Sequence, residues 1–83
     1  MSWNYRLIEF ADPDSGEPWQ AIHEVYYDER GNPTSYQESP AAVMGDNQQV
    51  VRDVLCKMTE ALLRPALVER DFQRVTEPQD ASR

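Results

Sequence analysis

Between Trp19 and Asp28 the chain reads WQAIHEVYYD, the longest run of strand-forming residues in the sequence and the home of its only histidine. Aromatic and β-branched side chains of this kind fit a pleated, half-buried surface better than a helix. Turn formers bracket the run, Asp12-Pro13-Asp14-Ser15-Gly16 before it and Asp28-Glu29-Arg30-Gly31-Asn32-Pro33 after it, with Gly31 and Asn32 both able to take positive φ. A strand held between two turns predicts a meander. Residues 3–10 (WNYRLIEF) supply its first strand across an irregular hairpin loop, and residues 34–38 a short third strand. Pro33 and Pro40 on either side of the third strand suit an edge, which should not offer a full row of free donors. Residues 41–44 are a weaker candidate for a fourth extended piece.

One helix is expected after the meander. Asp46 is read as its N-cap, with Gln49 three residues on in the capping-box position and Gly45 supplying the bend. At 100° per residue, Val50, Val51, Val54, Leu55, Met58, Ala61 and Leu62 share an arc of about 140°, a core-facing stripe. Asp53 with Lys57 and Glu60 with Arg64 have the acid-first spacing of ion pairs on the outer face. Pro65 ends the helix at Arg64. Beyond it, Val68, Phe72 and Val75 keep a spacing that suits a second short helix or a docked tail, and residues 76–83 read as a disordered tail. The fold class is therefore α+β: a three-stranded antiparallel β-meander with one C-terminal helix packed on one face, β-β-β-α, in a single domain over residues 1–75.

Such a domain is thinly cored. Leu, Ile, Val and Phe number 16 of 83 residues, and two Trp and four Tyr carry much of the apolar area. A thin core gains from a partner or a second copy. The net charge of −7 argues against direct nucleic-acid binding and against an anionic membrane surface, both of which need clustered Lys and Arg. It falls mostly on residues 1–44, which hold eight acids and two bases. The lone Cys56 cannot close an internal disulfide, and with no apolar run long enough to span a bilayer the expectation is a bacterial-type cytoplasmic protein.

Chemistry is hard to build from these residues. His23 and Glu24 are adjacent in a strand and so point to opposite faces, which prevents a hydrogen-bonded dyad. One His and one Cys, far apart, give no pair at metal-ligand spacing, and Asp12, Asp14 and Glu17 lack the rest of a calcium loop. Cys56 plots on the polar side of the helix beside Arg52 and Leu63, with no general base to activate it. Gly16, Gly31 and Gly45 are too dispersed for a phosphate loop. No catalytic residue, metal or cofactor is expected. What remains is a candidate interaction surface: Trp3, Tyr5, Arg6, Trp19, His23, Glu24, Tyr26, Tyr27, Asp28 and Tyr36. Its aromatics exceed what one sheet face can bury beneath one helix, and exposed aromatics are typical interface anchors.

Trp3-Asn4-Tyr5-Arg6, Ile22-His23-Glu24-Val25-Tyr26-Tyr27-Asp28 and the approach from Pro40 to Gly45-Asp46 together resemble a family of small stand-alone bacterial and phage-borne proteins of unknown function, over about residues 1–68. That resemblance implies no activity or site. A vaguer similarity is to the β-β-β-α unit of HicB-type antitoxins, where a Gly-Asp pair also opens the helix; the proline-glycine signature of strand two is missing here.

Three functional readings follow. The leading one is a non-enzymatic module that binds a protein partner through the open face or edge of its sheet, with a homodimer as a further expectation. The second is an acidic mimic of nucleic acid that blocks a DNA- or RNA-binding machine. The third is a HicB-like antitoxin, a small enzyme or a ligand binder using His23, Tyr27 and Arg6.

Overall fold

Aspartates hold both turns that fold the chain back on itself. Asp12 Oδ1 accepts from the backbone N–H of Asp14 at 2.8 Å and of Ser15 at 3.1 Å, and Gly16 closes that loop at φ 76°. Asp28 Oδ1 accepts from the N–H groups of Arg30 and Asn32 at 2.9 Å each, with Gly31 at φ 83°. Only glycine takes these left-handed positions among the described residues; Asn32 does not.

In the computed structural model, which describes residues 2–72, these turns join β1 (Ser2–Ala11), β2 (Pro18–Tyr27) and β3 (Pro33–Tyr36). β1 and β2 run antiparallel along their whole length, with Asn4 opposite Val25, Arg6 opposite His23 and Phe10 opposite Trp19. β3 pairs antiparallel with β2, with a register shift between Tyr26 and Tyr27.

The expected antiparallel meander is thus present, but the sheet does not stop at three strands. A fourth, β4 (Leu67–Val68), lies parallel to β1 with Leu67 opposite Ile8, giving the order β3-β2-β1-β4 in a mixed sheet. Two residues are too short to show a strand period, and their pairing is set by where the helix returns the chain. The extended piece expected at residues 41–44 is not a strand; Ala41 alone reaches β2, donating to the Ile22 carbonyl at 2.9 Å.

Between β3 and β4 the chain forms α1 (Gln48–Ala61). Its N-cap is Asn47 rather than Asp46: the Asn47 side chain accepts from Val50 N–H at 3.0 Å, from an extended backbone. Both residues are good caps, and the one within reach of the third helical N–H is selected. The apolar stripe is narrower than its arc suggests. Met58 and Ala61 are buried and Val51 and Val54 half-buried, while Val50, Leu55 and Leu62 stay exposed.

Both faces of the sheet carry a cover, one of them only in part, against the expectation of one. Ile8 and Val25 are fully buried and pack with Phe72, flanked by Phe10, Tyr27, Tyr36 and Leu67. All the sheet residues of that cluster but Leu67 come from even positions of β1, odd positions of β2 and Tyr36, one face by alternation. Phe72, in a helical turn described over residues 69–72, is therefore the cover of the His23 face. Asp71 anchors that turn by accepting from Val68 N–H at 2.8 Å. α1 packs on the opposite face, against β1 near Trp3 and Tyr5. Val75 and the tail expected at residues 76–83 lie outside the described residues.

Candidate functional site

The hydrogen bonds of β2 decide which backbone groups of β1 are free. Gln37 N–H donates to the Glu24 carbonyl and Ala41 N–H to the Ile22 carbonyl, both at 2.9 Å, so even positions of β2 present their backbone toward β3. Odd positions, Val25 and His23, therefore bond to their partners Asn4 and Arg6 in β1. The alternation leaves the N–H and C=O groups of Trp3 and Tyr5 pointing out of the sheet. β4 takes up β1 only from Ile8 onward, and Arg6 Nη2 donates to the Pro65 carbonyl at 2.9 Å, where the covered part begins. Among the described residues nothing pairs with the outer edge at Trp3 and Tyr5.

A groove of about 370 Å³ runs beside this edge. Trp3, Asn4 and Tyr5 form its sheet wall, and Lys57, Glu60 and Arg64 its helix wall, with Ala61 between them. The Trp3 and Tyr5 rings meet edge to face at 5.3 Å, and Trp3 remains 50% exposed. Two cations and one carboxylate above two aromatic rings can receive either apolar or polar side chains. Sequence reasoning placed Lys57, Glu60 and Arg64 in ion pairs on the outer face. At 100° per residue the three share an arc of about 60°, and that is the signal that would have grouped them. Asp53 accepts instead from the Gln49 side chain at 3.0 Å.

The other sequence-derived site residues are dispersed. His23 is buried at 2% exposure, so it is not part of an exposed surface. Its Nδ1–H donates to the Gln37 carbonyl at 2.7 Å, and its buried Nε2 has no hydrogen-bond partner among the described residues. Glu24, on the other face, accepts from the Tyr26 hydroxyl at 3.0 Å, which pushes the Tyr26 phenol above its ordinary pKa. Tyr27 donates to Asn4 Oδ1 at 2.7 Å and accepts from Arg6 Nη1 at 3.4 Å, so Arg6, Tyr27 and Asn4 form one half-buried network. Tyr36 packs on Phe72 at 4.9 Å and donates to Glu69; burial first, then Glu69, raises its pKa. Trp19 stacks on Phe10 at 4.7 Å and is 48% exposed at the far end of β1. Asp28 holds its turn.

Many acids of the acidic half are thus engaged within the fold. Asp12 and Asp28 cap turns, Glu9 accepts from Gln20 at 3.0 Å, and Glu24 holds Tyr26. Among the described residues no three of His, Cys, Asp or Glu converge to hold a metal ion, and no helix is long and apolar enough to cross a membrane. No family model, curated protein or solved structure matches the chain, so its site is read from geometry.

Proposed function

We propose that the protein is a non-enzymatic interaction module that binds a partner protein by adding a strand to the outer edge of β1. The observation that carries this reading is the pair of unpaired backbone positions, Trp3 and Tyr5, beside a groove that can take the side chains of an added strand. Natural sheets usually blunt such edges with prolines, lysines or bulges. The β3 edge follows that habit, beginning at Pro33 and carrying the register shift. Residues 2–7 of β1 (SWNYRL) hold no proline and no lysine. A buried His23, with Glu24 on the opposite face, favours binding over proton-transfer chemistry.

The test uses paired baits. Proline at position 5 removes the outward Tyr5 N–H without touching the β1–β2 ladder. Extended peptides selected from a random library on the wild-type chain should lose binding to Tyr5→Pro at least tenfold while the circular dichroism spectrum is kept. Ligands that bind both chains equally, or that map by amide shifts to Leu55 and Leu62 of α1, would refute the edge reading.

A further inference from the structure

The unpaired stretch of β1 is short, and its geometry restricts what completes it. We propose that its partner is the same stretch of a second copy of this chain, running antiparallel about a two-fold axis through Asn4; this rests on the reading of β1 as an interaction edge.

In an antiparallel ladder, residues that exchange both hydrogen bonds face each other one to one. Trp3 and Tyr5 are the positions with free outward groups, one residue apart. Two identical edges use all of those groups when Trp3 of each copy faces Tyr5 of the other, which sets the axis between the two Asn4 residues. Centring on Trp3 would place Tyr5 at the very start of the other strand. Centring on Tyr5 would drive Trp3 against Leu7, next to the edge that β4 and Pro65 already cover. The free edge is therefore complementary to itself in one register.

Side chains agree with that register. The net charge of −7 opposes self-association, yet the only charged residue in residues 2–7 is Arg6, and it falls opposite Ser2. No like charges face each other within the paired strands. On the helix-bearing face, the edge-to-face pair of Trp3 and Tyr5 continues into the Tyr5 and Trp3 of the second copy, a row of aromatic rings that buries the exposed half of Trp3. The contact is isologous and closes at two chains.

Oxidative trapping tests the register. Asn4 would face its own copy in a non-hydrogen-bonded pair, with Cα atoms about 4.5 Å apart, within disulfide reach. With exposed Cys56 changed to Ser, mild oxidation should join Asn4→Cys chains into covalent dimers and leave Ser2→Cys and Arg6→Cys chains single, because those two positions face each other. Sedimentation of the full-length wild type should give a two-chain mass, and Tyr5→Pro and Trp3→Lys should each weaken it at least tenfold. A wild-type monomer at about 100 μM overturns the proposal, as does equal trapping at position 2. If the chain is monomeric but Tyr5→Pro still abolishes peptide binding, the second copy is refuted and the edge reading stands; if neither effect is seen, both fall.

Discussion

His23 lies edge-on to the rings of Phe10 and Tyr36, at 5.3 and 5.4 Å, and its Nδ1–H closes on the Gln37 carbonyl. Its work is to hold the chain beyond β3 against β2 while filling the core. His23→Ala should therefore lose about 2–4 kcal/mol of unfolding free energy in urea, combining a cavity with an orphaned carbonyl, whereas Glu24→Ala should lose under about 1 kcal/mol. Equal losses would show that the ring is not part of the core. Asp28 makes a second residue-level prediction. Backbone bonds from Asn32 first, and then Arg30, lower its pKa, as those from Asp14 and Ser15 lower that of Asp12. A depressed carboxylate stabilises above its unfolded pKa and loses that contribution as pH falls through the folded one. Both turns should hold at neutral pH and loosen only below the ordinary carboxylate range, with the protection of the Asn32 and Asp14 amides, relative to their intrinsic exchange rates, falling there. Loosening above pH 5 would contradict this.

The elements carry their own tests. Asn47→Ala should cost about 1 kcal/mol through loss of the N-cap, and Asp46→Ala a few tenths. The reverse order in chemical denaturation would restore Asp46 as the cap. Met58→Ala should cost about 2–4 kcal/mol, and exposed Leu63→Ala under about 0.5. Strands β1 to β3 and α1 were legible because alternation and helical period are local: the runs at residues 3–10 and 19–27 lie almost wholly on their strands. β4 was not legible, because Leu67 and Val68 pair with β1 across nearly sixty residues of chain and carry no period of their own. The spacing of Val68, Phe72 and Val75 leaves a short helix or a docked tail open, and the role of Phe72 as cover of the His23 face depends on that same return. The buried stripe of α1 is narrower than its period implies, because periodicity gives the direction of a face and not how much sheet lies beneath it.

At the scale of the molecule, the sheet has two covers, a blunted β3 edge, and an uncovered stretch on the outer side of β1. Phe72 and its neighbours pack on one face, α1 covers part of the other, β4 pairs with β1 at Ile8 and Glu9, and the edge at Trp3 and Tyr5 remains. The sequence marked these two aromatics as surface candidates but could not separate them from Trp19, Tyr26 and Tyr36. What separates them is the ladder pattern, which only the register of β1 on β2 supplies. The direct measurement is amide hydrogen exchange along residues 2–7 in dilute and concentrated protein. In dilute solution Asn4 and Arg6 should be protected, and Trp3 and Tyr5 should exchange nearly as fast as free peptide. On concentration, Trp3 and Tyr5 should gain protection while Asn4 and Arg6 hardly change. Trp3 and Tyr5 amides already protected in the dilute monomer would mean that the edge is occupied within the chain, and would contradict the open edge on which the account rests.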